Sequence, residues 1–162
     1  MRVQKTKITA LGVFLAVATF WTAAPASAAG EAAETSVRMN SLPTAVRQTV
    51  LTETRGATIR GVSKERGEDG VMVYEVETRT NGLNRDMIIG LDGTLLISEQ
   101  QVRLAELPPT VRSAILKGTG KKRITLVESV TKGGKLVYYE AQLRSGKTTS
   151  ELKVDTQGKQ VP

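Results

Sequence analysis

Glu75 and Glu140 are the side chains best suited to acid–base work in this chain, because the sequence contains no His and no Cys. That absence removes the commonest general base, the thiol nucleophile and most transition-metal ligand sets. Nor is there a Gly-x-Ser-x-Gly elbow, a phosphate-cradling glycine loop or a calcium-loop pattern. Each glutamate follows a tyrosine, in Tyr74-Glu75 and Tyr139-Glu140, and the two lie 65 positions apart. The same offset lays Leu42-Pro43 on Leu107-Pro108, Leu51 on Leu116, Ile59 on Ile124, Val62 on Val127, Arg79 on Arg144 and Gly93 on Gly158. Duplication therefore explains the two glutamates without an acid and a base. No enzymatic activity, cofactor or metal is expected.

A register held over so many positions means one supersecondary unit built twice. Each copy opens on a Leu-Pro pair, and proline is tolerated in a first helical turn because its missing N–H has no partner there. Val46 and Val50 then recur at helical spacing, with Val111, Ala114 and Ile115 in the second copy, and Gly56 and the pair Gly118 and Gly120 end the two helices. Beyond each helix the apolar period drops to two. Met72, Tyr74, Val76 and Thr78 share one side of a strand, echoed by Val137, Tyr139, Ala141 and Leu143. An earlier strand around Ile59 and around Ile124 breaks strict alternation, which predicts a bulge. Asn81-Gly82 and Ser145-Gly146 read as hairpin turns. Met87, Ile89 and Leu91 line the next strand, and a turn at Asp92-Gly93, or Gln157-Gly158, leads to a last strand that is short in the second copy. The expected fold is α+β: two tandem repeats, each a short helix packed on an antiparallel four-stranded sheet.

Residues 1–28 have the pattern of an export signal, with Arg2, Lys5 and Lys7 ahead of a 14-residue apolar run from Ile8 to Trp21 and an Ala26-Ser27-Ala28 cleavage pattern. That run is short of the roughly 20 residues that span a bilayer. A periplasmic or secreted chain with no integral membrane segment after cleavage is expected. Residues 29–41 read as a flexible leader, 42–98 as repeat 1, 99–106 as a linker and 107–162 as repeat 2. Without the signal's three basic residues the net charge falls from +7 to +4. The remaining aromatics are Tyr74, Tyr138 and Tyr139, so the core must be aliphatic. With no disulfide available, packing alone holds the fold, which favours two units sharing a sheet or an interface.

These elements resemble the PepSY-like domains of the β-lactamase-inhibitor-like family: Leu42-Pro43, Ile59 to Val62, Tyr74-Glu75-Val76 and Asp92-Gly93, then Leu107-Pro108, Ile124 to Val127, Tyr139-Glu140-Ala141 and Gln157-Gly158. The resemblance implies an exported two-repeat binding protein whose helices cover one sheet face and leave the other open and slightly concave. In relatives that open face is a protein-binding surface, associated with inhibition or with small ligands. Ala141 and Gln157 depart from the Val and Asp of the first copy, and the disulfides of some inhibitor relatives are absent.

By parity Tyr138, Glu140 and Arg144, with Val73, Glu75 and Arg79 in the first copy, fall on the open face. A tyrosine among charged groups has the amphipathic character of a binding anchor. These six residues form the expected contact set for an envelope protein, with Glu75 and Arg79, and Glu140 and Arg144, as possible same-strand ion pairs. A rival reading is electrostatic. Positions 42–97 carry 7 basic and 8 acidic residues, whereas 107–162 carry 11 basic and 4 acidic. Lys117, Lys121, Lys122 and Arg123 in the loop after the second helix would hold a polyanion. A small-ligand sensor is a third reading, and nucleic acid is not expected outside the cytoplasm with so few stacking aromatics. Oligomeric state stays open, since the copies can pair within one chain or across chains.

Overall fold

The computed structural model describes residues 35–67 and 69–162. The expected signal and the first part of the leader lie outside them. The elements in order are β1 (Thr35–Ser36), a 3-10 turn (Met39–Ser41), α1 (Thr44–Glu53), β2 (Thr58–Arg66), β3 (Met72–Thr80), β4 (Leu83–Gly90), β5 (Leu95–Gln101), a 3-10 turn (Leu104–Glu106), α2 (Pro109–Thr119), β6 (Arg123–Lys132), β7 (Lys135–Ser145), β8 (Thr148–Asp155) and β9 (Gln160–Val161). Among the described residues the nine strands form a single antiparallel sheet in chain order. Helix and sheet together give the α+β class. Both helices pack on one face of the sheet, and among the described residues no helix lies on the opposite face.

The helices form where the prolines set them up. Pro43 and Pro108 flank the first turns with φ −52° and −50°, and Pro109 opens α2. Val46 and Val50 of α1, and Val111 and Ile115 of α2, are fully buried. The apolar stripe is narrow, so Leu51 and Leu116, one step off it, stay exposed. Each helix ends on a buried threonine that satisfies a last-turn carbonyl: Thr54 Oγ1 donates to Val50 O at 2.8 Å, and Thr119 Oγ1 to Ile115 O at 2.7 Å. Gly118 lies inside α2 rather than ending it, and Gly120 alone follows the helix, with φ 58°.

Two aliphatic clusters lie between helix and sheet. Leu42, Val46, Val50, Val62, Tyr74, Val76, Met87 and Ile89 form the first. Leu107, Val111, Ile115, Val127, Ala141, Leu143, Leu152 and Val154 form the second. Each apolar side chain fully buried in them stabilises by roughly 1.5–3 kcal/mol. The two expected bulges fall where alternation breaks, between Ile59 and Gly61 and between Ile124 and Leu126, and further register shifts lie between Ile88 and Ile89 and between Val130 and Thr131. Gln157, where the first copy has Asp92, is also accounted for. Asp92 Oδ1 accepts from Thr94 N at 2.9 Å, whereas in the second turn Asp155 Oδ1 accepts from Gln157 N and Lys159 N, each at 2.9 Å. The carboxylate has moved two residues earlier and still pins the turn.

Three expectations change. The end of the leader is ordered: Thr35 and Ser36 pair with β2, Val37 N donates to Val62 O at 2.8 Å, and Val37 and Met39 pack on the first cluster. The linker is partly strand, because β5 runs on through Gln101 and pairs with β6 at Glu99, Gln100 and Gln101. The second hairpin turn sits one residue later, at Gly146-Lys147, since Ser145 pairs with Thr148 just as Thr80 pairs with Leu83.

Candidate binding face of the sheet

Tyr74, Val76, Tyr139 and Ala141 point toward the helices, so alternation sends Glu75, Glu77, Tyr138, Glu140 and Gln142 to the open face. Register then lines these side chains up across strands. One row runs Glu77, Asp86, Glu99, Val130, Tyr138, Asp155 from β3 to β8. The neighbouring row runs Gln101, Glu128, Glu140, Lys153, Val161 from β5 to β9. Glu151 follows beside Gln142. Carboxyls from six successive strands thus share one stretch of open face.

Crowding and partial burial change their chemistry. Burial, reinforced by Glu99, Asp86, Glu140 and Glu151, pushes the Glu128 carboxyl up to about 8. Burial and Glu151 raise Glu140 to about 7 against the opposing pull of Lys153, and burial with Glu77 and Glu99 raises Asp86 to about 6. Lys153 Nζ stands 3.8 Å from Glu140 Oε2. It also lies 5.4 Å from the Tyr138 ring centroid, with Lys132 Nζ at 5.8 Å. Near neutral pH this face therefore holds protons on some carboxyls, with a tyrosine bracketed by two lysines at its edge. Among the described residues no group of three His, Cys, Asp or Glu is arranged to hold a metal ion.

The six expected contact residues do not form one patch. Tyr138 and Glu140 are half-buried neighbours on the open face. Arg144 is exposed but roughly 20 Å from Tyr138 and roughly 14 Å from Glu140 along β7, and its Nε donates to Gly146 O at 3.1 Å instead of pairing with Glu140. Arg79 is its exposed counterpart near the end of β3, and Glu75 is half-buried between Ser63 and Ile88. Val73 is a correction. It is on the expected side but only 4% exposed, flanked by Glu65 and Gly90 and close enough to Gly67 that a Cβ added there would lie 3.6 Å from its Cγ1. Glu75 and Glu140 lie four strands apart, about 19 Å, too far for an acid–base pair. In the basic group Lys117 belongs to the last turn of α2, Lys121 and Lys122 to the turn after it, and Arg123 to the start of β6. All four are exposed, and Lys122 Nζ donates to Ser150 Oγ at 3.0 Å.

The carboxyl rows are not legible in the sequence. Asp86, Glu128 and Glu151 all have open-face parity, but Glu99 reads as linker and the alignment across β5 and β6 needs the tertiary register.

No protein-family model matches the chain, and no curated protein matches it in sequence. Solved structures do share its fold. A DUF2874 family protein from Bacteroides ovatus is 18% identical with a TM-score of 0.60, covering 75% of this chain and 86% of its own. A BLIP-like protein from Bacteroides fragilis is 16% identical with a TM-score of 0.58, over 75% and 84% of the two chains. A protein from Bacteroides eggerthii, named a putative periplasmic protein, is 14% identical with a TM-score of 0.62, over 75% and 86%. The fold is thus BLIP-like. Among the described residues no helix is long and apolar enough to cross a membrane.

Proposed function

We propose that the chain is an exported, non-enzymatic binding module that uses the open sheet face to hold, and restrain, a protein of the cell envelope. The observation that carries this reading is the contrast between the two faces. Helices cover one, while the other presents Tyr138 between Lys132 and Lys153 beside the carboxyl rows. A half-buried tyrosine ringed by charge can bury a partner's apolar group while the rim sets orientation. The BLIP-like fold and the export pattern of residues 1–28 agree with it, as does a composition without His or Cys.

The test is capture of envelope proteins on immobilised chain and on the double variant Tyr138→Ala, Arg144→Ala. One dominant protein retained by the parent at moderate salt and lost by the variant is the expected result. Equal retention by both would remove the contact set. A second reading rests on the exposure of Lys117, Lys121, Lys122 and Arg123. If they hold an envelope polyanion, capture collapses between low and moderate ionic strength, which a packed protein interface resists.

A further inference from the structure

The strand that joins the two halves of the sheet is β5. It pairs with β4 through Ile88 and Ile97, Met87 and Ser98, Asp86 and Glu99, and Arg85 and Gln100. Its other edge pairs with β6, from Ile97 with Lys132 to Gln101 with Glu128. The two ends of the sheet repeat the two sides of this joint at the 65-residue offset. At one end Thr35 with Lys64 and Ser36 with Ser63 reproduce Gln100 with Ser129 and Gln101 with Glu128. At the other, Val154 with Gln160 reproduces Ile89 with Leu95. So β1 fills the last part of a β5-like lane beside β2, and β9 fills the first part of one beside β8. Arg85, Asp86 and Met87 are covered by β5, but among the described residues their counterparts Ser150, Glu151 and Leu152 have strand partners in β7 alone. Such an edge offers backbone groups to another strand.

We infer that this edge receives a second copy of the chain, head to tail, with β1 and β2 of one copy laid along β8 and β9 of the other. The β9 and β1 segments then take the two ends of the lane that β5 fills within one chain, β9 at the positions of Leu95 and Leu96 and β1 at those of Gln100 and Gln101. Thr35 of one copy comes opposite Ser150 of the other, as Gln100 lies opposite Arg85. Charge favours this orientation. The half that carries β8 has 11 basic and 4 acidic residues, and the half that carries β2 has 7 basic and 8 acidic, so head-to-tail contact avoids placing two basic halves together. Lys122, bonded to Ser150 at this edge, opposes a symmetric pairing of β8 with itself. A heterologous contact of this kind leaves a free edge on each pair, so copies add head to tail into a row or a closed ring. It uses the edge of the sheet, not its open face, so either proposal can fail alone.

The absence of cysteine makes the test direct. One chain carries Thr35→Cys, a second carries Ser150→Cys, and they are mixed under mild oxidation. Opposed Cα atoms in antiparallel strands are roughly 4.5–5.5 Å apart, within disulfide range. The expected result is a mixed dimer that forms much faster than a dimer of either chain alone, slows as salt rises, and gives way to a ladder of multimers when one chain carries both cysteines. These positions lie at opposite ends of the sheet, too far apart to bridge within a chain. Cross-linking of the mixture no faster than of the separate chains overturns the proposal. So does preferential dimerisation of Ser150→Cys with itself, which would mean a symmetric β8 pairing. Sedimentation of the unsubstituted chain should show mass rising with concentration, and a constant monomer mass up to millimolar concentration would also overturn it.

Discussion

Gly93 illustrates how much one side chain can decide. Its φ is +88°, and an added Cβ would come within 2.8 Å of the Ala45 carbonyl carbon, where the turn after β4 meets α1 and Thr49 Oγ1 donates to Gly93 O at 2.6 Å. Gly56 has φ +74° with open space around it. Gly93→Ala should therefore cost at least about 2 kcal/mol and Gly56→Ala about 1 kcal/mol, read from chemical unfolding midpoints. Equal losses would mean that the close approach is unimportant. Glu128 decides stability differently. Its folded carboxyl holds protons up to about 8 against a usual 4.5, Glu140 up to about 7, and Asp86 up to about 6 against 3.8. In each case the folded chain binds more protons than the unfolded one across that interval, so stability falls as pH rises from about 4.5 to about 8. The melting temperature should drop over this range by on the order of 5 °C. Glu128→Gln should flatten the slope and raise the melting temperature at pH 8 while leaving pH 5 nearly unchanged. A rising or flat profile for the parent chain would contradict the crowding described.

Elements are held in place by local pairs that the two copies solve differently. Arg85 of β4 reaches across to α1: Nη1 donates to Glu53 O at 3.0 Å, Nη2 to Glu53 Oε2 at 2.7 Å, and Nε to Ser98 Oγ at 2.8 Å. It closes the C-terminus of the helix, where a cation is favoured, and ties it to both β4 and β5. At the equivalent positions of the second copy stand Gly118 and Ser150, and Gly118 lets α2 approach so closely that an added Cβ would lie 2.7 Å from Leu152 Cδ2. Arg85→Ala should cost about 1–2 kcal/mol, whereas Ser150→Ala should be nearly silent. Thermal unfolding of the two variants checks this. Element types were legible because proline placement and the change of period from 3.6 to 2 are local signals. Strand ends were not: Glu99 to Gln101 carry no apolar alternation, and only the neighbouring β6 makes them strand.

At the scale of the whole molecule, the two clusters share one sheet through a continuous β5–β6 pairing. Val46→Ala in one cluster and Val111→Ala in the other, each costing about 2–3 kcal/mol, should lower one common transition instead of splitting it. Hydrogen exchange would show α1 and α2 losing protection together in both variants, and a variant that opened one helix alone would refute this. The 65-residue offset was legible because it is written in residue identity. The gathering of carboxyls from six strands was not, because it depends on how the two halves register across β5 and β6. That gathering also ties the proton to whatever the open face holds. Any cationic group seated beside Glu128 and Glu140 favours their ionised forms and must expel protons that they carry near neutrality. Association should release protons into solution, visible as a heat of binding that changes with the ionisation enthalpy of the buffer. Affinity should tighten from pH 6 to pH 8, the interval over which the unbound fold weakens. Acidification would then favour the empty molecule, and a return to neutrality would load it.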